Sequence, residues 1–302
     1  MLKKGDFELM KESMDRKRKT ALSVDDFSTE HFDKLKACGI EAIEVSCRDS
    51  QYPLIPWPKV VQAAKEREIA LWSFHLPFSP FCMNDISSTD AFVRKTTIDY
   101  MKLLIDRAAG YAGIRIMVIH ASGEPISDAE RPKRTEGALA GLAELCDFAA
   151  TYGATLAVED LPRTCLGRSA EEMACLLSAD ERLRICFDTN HLLGGQKPQD
   201  FIRALGSKIV TLHVSDYDGL DEKHWLPGEG VIDWPAVMDA LDDVGYTGPI
   251  LYEVGYETPK TIVRPQPLVT ADFVRNHAEL EARAALTVTG VPAVKSENGK
   301  IK

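Results

Sequence analysis

Short apolar runs alternate along the chain with longer amphipathic segments. Eight runs stand out: TALSV (20–24), AIEVS (42–46), ALWSFH (70–75), IRIMVIH (114–120), TLAVED (155–160), LRICFD (183–188), IVTLHV (209–214) and PILYEV (249–254). They are rich in Val, Ile and Leu, and several are apolar on both faces. That is the pattern of parallel strands covered on both sides. Between them, a period near 3.6 predicts helices over 27–38, 59–66, 91–109, 134–151, 170–177, 199–205, 234–244 and 270–284. Ser28, Ser169 and Asp233 stand at N-cap positions. Gly39, Gly110, Gly153, Gly206 and Gly245 are placed to end helices before the following strand.

Eight strand–helix units in roughly 265 residues predict a single-domain (β/α)8 TIM barrel. A doubly wound open sheet is the alternative, but no GxGxxG follows the first strand. The length of 302 residues alone suggests two domains. No Pro/Ser-rich linker divides the units, so one domain is expected. The expected organisation is a charged extension over 1–19, a barrel over 20–285 and a polar tail over 286–302. The basic run Arg16-Lys17-Arg18-Lys19 reads as a solvated face.

Composition narrows the partners. The hydrophobic fraction is 45% and the charged fraction 27%, ordinary for a globular protein with a large core. With 46 acidic and 36 basic residues the formal net charge is −10, which disfavours nucleic acid and anionic membranes. Seven scattered cysteines without a CxxC read as reduced thiols. No apolar run reaches the ~18 residues of a membrane span, and the N-terminus lacks an apolar signal core. A cytoplasmic location is expected.

The chemistry is concentrated at the C-terminal ends of the strands, where barrel enzymes carry their active groups. The third and fourth strands end at His75 and His120. The fifth ends at Glu159-Asp160, the sixth at Asp188 with His191 following. The seventh carries His213, and the eighth carries Glu253. Five of the seven histidines, counting His224, fall at these ends or in the loops after them. Burying several such groups together is costly without a counter-charge. One divalent cation held by Glu159, Asp188, His213 and Glu253 supplies it. Three carboxylates and one imidazole suit Mn²⁺, Mg²⁺ or Co²⁺, with Zn²⁺ as the alternative. Glu44, inside the second strand, reads equally as a mouth group or a structural ion pair.

The runs FHLP (74–77), VIHASGE (118–124), LAVEDLP (156–162), CFDTNHLLGG (186–195), LHVSD (212–216), HWLPGEGVIDW (224–234) and ILYEV (250–254) carry a resemblance. In this order they resemble the xylose isomerase-like barrel superfamily, and more narrowly the sugar phosphate isomerase/epimerase family, over roughly 20–285. The resemblance implies that Glu159, Asp188, His213 and Glu253 hold the metal. It implies that Glu159 and Glu253 act as the acid/base pair on opposite faces of a substrate carbon. His75, His120 and His191 match residues that contact substrate oxygens, and His224 matches the histidine before the PGxG turn. Barrels of this family often pair, so a homo-oligomer is expected.

Two departures bear on the substrate. The stretch SDYDGLDEK lacks the arginine that some epimerases carry after the strand-7 histidine. No glycine-rich phosphate cradle follows strands 7 and 8. Asp216, Asp218, Asp221 and Glu222 give that loop an acidic cast, which favours a neutral sugar over a sugar phosphate. The expected reaction is proton abstraction next to a carbonyl, through an ene-diolate. The same first step serves a lyase or dehydratase acting on an inosose or a 3-keto-glycoside. A rival expectation is phosphodiester hydrolysis of the endonuclease IV type. Its ligand set is matched by His75, His120, Glu159, Asp188, His191, His213, His224 and Glu253, with Glu222 where an aspartate belongs.

Overall fold

A computed structural model describes residues 17–256 and 266–283, apart from the side chain of Asp49. The expected extension (through residue 16), the tail over 286–302 and the predicted helix end at Ala284 lie outside these residues. Eight strands form in chain order: β1 (Thr20–Val24), β2 (Ala42–Val45), β3 (Ala70–His75), β4 (Ile116–His120), β5 (Thr155–Glu159), β6 (Arg184–Asp188), β7 (Ile209–His213) and β8 (Ile250–Tyr252). They lie in the order β7-β6-β5-β4-β3-β2-β1-β8, and every pair is parallel. Val214 meets Tyr252 in a parallel bridge, and the Val214 amide donates to Leu251 O at 2.8 Å. That contact brings β7 to β8 and makes the sheet a nearly closed barrel, the predicted single-domain (β/α)8 fold.

The helices follow the strands: α1 (Thr29–Cys38), α2 (Trp57–Glu66), α3 (Ala91–Ile105), α4 (Arg131–Ala150), α5 (Ala170–Leu177), α6 (Pro198–Leu205), α7 (Trp234–Asp243) and α8 (Thr270–Glu281). The three predicted N-caps form. Ser28 Oγ accepts from the His31 amide at 3.2 Å, Ser169 Oγ from Glu172 at 3.3 Å, and Asp233 Oδ1 from Ala236 at 3.2 Å. Each satisfies one of the orphan donors of a first helical turn.

Three of the departures from the sequence pattern have a clear local reason. The third helix gives way at Asp106 to a π-helical turn through Tyr111, so β4 starts at Ile116 instead of 114. Helix α4 begins three residues early, because Pro132 suits a first turn where its missing N–H costs nothing. Gly206 is not a left-handed cap, since its φ is −57°. A Cβ there meets Val244 Cγ1 at 2.5 Å, so close packing of the α6 end on the end of α7 requires glycine.

Alternation along each strand sorts the side chains. Ile43, Phe74, Ile119, Val158, Phe187 and Leu212 face the helices and join the main core. Burying each such side chain contributes about 1.5–3 kcal/mol. Inside the barrel the floor is small and apolar: Ala21, Ala42 and Leu251 pack with Ala70 and Trp72, and Val118, Ala157 and Cys186 pack together nearby. Trp72 reaches across to donate its indole N–H to Thr211 Oγ1 at 3.1 Å. Two register shifts, at Ile43/Glu44 and at Ile185/Cys186, set Glu44 opposite Ser73 and Cys186 opposite Thr211. Above this floor the interior turns polar, and the strand-end residues converge.

Arg18 corrects one expectation. It is not part of a solvated face but is buried, donating to Tyr246 O (3.0 Å), Glu281 (3.0 Å) and Asp242 (2.6 Å). It ties the start of β1 to α7 and α8. Among the described residues no helix is long and apolar enough to cross a membrane.

Candidate active site

One ligand atom from each of Glu159, Asp188, His213 and Glu253 lies within 4.8 Å of the others. These residues end β5, β6 and β7 and follow β8, so the parallel barrel alone brings them to one mouth. His213 Nδ1 is 3.0 Å from Glu159 Oε1 and 3.3 Å from Glu253 Oε2. Asp188 is wholly buried. Its Oδ1 accepts from the Asn190 amide at 2.7 Å, but its Oδ2 finds no hydrogen-bond donor. Burial pushes the Asp188 carboxyl up to about 6 despite the nearby His191. A buried carboxylate oxygen without a donor, beside two more carboxylates, is the environment a divalent cation relieves. The residues present fit such an ion.

Glu159 is the hub. Its Oε2 meets His75 Nε2 at 3.0 Å and His120 Nε2 at 3.1 Å, while Oε1 faces His213 and lies 3.7 Å from His191 Nδ1. Burial alone raises its pKa, but the surrounding His213 and His120 outweigh that and hold it well below the usual carboxylate range. His75 shows the reciprocal effect. Burial pushes it down, yet its bond to Glu159 and the charge of that carboxylate raise it to about 9. His120 goes the other way, because burial dominates.

A second group sits nearer the surface. His191 Nε2 is 3.6 Å from both Asp188 Oδ2 and Glu222 Oε1. His224 Nε2 meets Glu222 Oε1 at 2.9 Å, and its Nδ1 lies 3.0 Å from Glu253 O. Burial lowers the His224 pKa, but Glu222 and the other carboxylates bring it to about 9. A cleft of about 100 Å³ opens over His75, His120, Glu159, His191, His224 and Glu253. Phe78 walls it, stacked on His120 with ring centroids 4.4 Å apart. All eight residues singled out in the sequence therefore belong to one connected constellation.

The acids of the loop after β7 behave differently from a free acidic rim. Asp216 is buried beneath the loop, accepting from the Gly228 amide (2.8 Å), the Ile232 amide (3.2 Å) and Trp234 Nε1 (2.8 Å). Gly230 passes so close that a Cβ falls 2.1 Å from Tyr217 O, which is why the HWLPGEG turn needs glycine there. Asp218 accepts from the Leu220 and Asp221 amides and lies 3.5 Å from Lys223. Asp221 and Glu222 both pair with Arg163, at 3.0 and 2.9 Å, and Arg163 also grips Glu124. Arg163 holds a left-handed backbone at φ 54°. The sequence signals no role for it, because its partners come from two other loops.

Two shifted histidines give a pH prediction for the cation-free protein. His75 and His224 titrate near 9 when folded, against 6.5 as the ordinary value. Their raised pKa values stabilise the fold fully below about pH 6.5, and that contribution is lost as pH rises through about 9. Thermal unfolding in EDTA is expected to show a falling Tm from pH 7 to pH 10. A flat or rising Tm contradicts the ionised histidine–carboxylate network.

The model of the xylose isomerase-like TIM barrel family matches residues 32–277. The chain is 28% identical over 169 residues to fructoselysine 3-epimerase of Shigella flexneri, spanning 53% of this chain and 59% of that one. It is 24% identical over 247 residues to D-psicose 3-epimerase of Agrobacterium fabrum, spanning 77% of this chain and 81% of that one. A solved D-tagatose 3-epimerase-like protein superposes with a TM-score of 0.74 at 22% identity, covering 88% of this chain and 98% of that one. This last likeness is one of fold.

Proposed function

Because the chain belongs to the xylose isomerase-like TIM barrel family, we propose that it is a divalent-metal-dependent sugar isomerase or epimerase. The observation that carries the reading is the convergence of Glu159, Asp188, His213 and Glu253 within 4.8 Å at the barrel mouth. These residues would hold one cation, with Mn²⁺, Mg²⁺ or Co²⁺ favoured by the three carboxylates and Zn²⁺ as the alternative. A cation held there would supply Lewis-acid polarisation of a substrate carbonyl. Glu159 and Glu253 form the proton-transfer pair next to that carbonyl: one removes the carbon-bound proton and the other returns one. His75, His120, His191 and His224 line the cleft and orient substrate oxygens. The mouth favours a neutral sugar, since Arg163 is already bound by Glu124, Asp221 and Glu222 and the set stays net negative.

Similarity to two 3-epimerases supports the chemistry. The test is solvent deuterium incorporation into a panel of ketoses, inososes and keto-glycosides with Mn²⁺ present. At least one member is expected to exchange a carbon-bound hydrogen, and loss of a leaving group on exchange identifies a lyase. No exchange by any member refutes the reading.

A second reading, phosphodiester hydrolysis at a multi-metal centre, is favoured by one observation. Glu159 divides its two oxygens, with His75 and His120 on Oε2 and His213 on Oε1, so one carboxylate faces two sides. Metal analysis separates the two. One exchangeable cation per chain supports the isomerase, and three bound zinc ions support the nuclease.

A further inference from the structure

Glu44 lies on β2, beneath the mouth and with no measurable exposure. No lysine or arginine pairs with it among the described residues. Ser23 from β1 donates to its Oε1 at 3.2 Å, and Ser73 from β3 donates to its Oε2 at 2.8 Å. Both oxygens also face His213 Nε2, at 2.9 and 3.1 Å. The opposite ring nitrogen, Nδ1, points at Glu159 and Glu253. The ring is stacked on His75, with centroids 5.6 Å apart and planes 14° apart.

An imidazole offers a lone pair on only one nitrogen, and the hydrogen bond at the other decides which. A carboxylate can only accept, so Glu44 forces the proton onto Nε2 and leaves Nδ1 for the cation site. The two serines hold the carboxylate in place from neighbouring strands. A structural ion pair alone gives no reason for this: a buried pair is commonly replaced by apolar packing without loss of stability.

We infer that Glu44 is a positioning residue that fixes the tautomer and orientation of His213 and thereby sets the cation affinity of the site. This rests on the metal-site reading above. A carboxylate behind a ligating histidine typically changes metal affinity by about 10- to 100-fold.

The experiment is Mn²⁺ titration by calorimetry on the full chain, comparing the parent with Glu44→Gln and Ser73→Ala. Glu44→Gln is expected to raise the Mn²⁺ dissociation constant at least ~10-fold with unchanged stoichiometry. Ser73→Ala, which loosens the carboxylate without removing it, is expected to raise it less, and it serves if the glutamine variant does not fold. In the Mg²⁺-loaded parent, the ¹⁵N resonances of His213 are expected to show a protonated Nε2 and an unprotonated Nδ1. A merely structural Glu44 lowers Tm but leaves the dissociation constant and these resonances unmoved, which overturns the inference. A parent that binds no divalent cation overturns the metal-site reading, and the role of Glu44 with it.

Discussion

Glu159→Gln is expected to lower turnover at least ~10²-fold while the barrel stays folded. Glutamine keeps the shape of the side chain and one acceptor oxygen, so the buried site is not emptied. What it loses is the charge that four imidazoles face: His75 and His120 on one oxygen, His213 and His191 on the other. It also loses the capacity to take a proton from carbon. A positioned general base contributes about 10²–10⁴ in rate, so removing it is among the largest effects a single substitution can have here. Glu253→Gln is the companion variant. Glu253 is partly exposed, so its replacement strains the fold less, and the same loss is expected if the two glutamates act as a pair. The check is steady-state kinetics on the sugar that exchanges deuterium, alongside circular dichroism and metal content for each variant. Turnover within about threefold of the parent in either folded variant removes that glutamate from proton transfer.

The positions of these residues were legible because the barrel converts sequence position into spatial position. A residue at the C-terminal end of any strand points to the same mouth, so Glu159, Asp188 and His213 are brought together by strand order alone. The strands themselves were legible because burial on both faces leaves long Val/Ile/Leu runs. What the sequence hides is contact across the barrel. Glu44 and His213 are separated by 169 positions in the chain, and their bond depends on a register shift at Ile43/Glu44 that no local pattern encodes. The acidic loop misleads for the same reason. Asp216 looks like a mouth charge but turns under the loop to hold the Gly228 and Ile232 amides, and Arg163 arrives from the β5 side to bind Asp221 and Glu222. Arg18 sits in a basic run that reads as solvated, yet its partners, Asp242 and Glu281, lie more than 220 positions away. Where a contact is set by the fold's own periodicity, sequence suffices. Where it joins two loops or crosses the interior, only the assembled barrel reveals it.

Removing divalent cations is expected to abolish turnover and to lower the thermal stability of the protein, and both effects are expected to reverse on adding Mn²⁺. The expectation starts from Asp188. Its carboxyl is fully buried, burial raises its pKa to about 6, and its Oδ2 finds no donor. Asp160 compounds the problem, since burial pushes its carboxyl well up, and its Oδ1 is committed to the Asp188 amide at 2.7 Å. Without a cation the imidazolium charges of His213 and His191 must balance these acids, and a more focused charge does so better. A ligand that binds only the folded state adds RT ln(1 + [L]/Kd), about 2.7 kcal/mol at 100 times Kd. For a domain of this size that corresponds to a rise in Tm of roughly 4–5 °C. Asp188→Asn is the decisive variant, because the amide brings its own donor and removes one ligand charge. It is expected to be at least as stable as the parent in EDTA and to gain little or nothing from Mn²⁺. The measurement is a thermal scan of parent and variant at neutral pH, with EDTA and then with increasing Mn²⁺. If the parent gains no stability from Mn²⁺, Mg²⁺, Co²⁺ or Zn²⁺, the four groups do not form a cation site. If the variant gains as much as the parent, Asp188 is not one of its ligands.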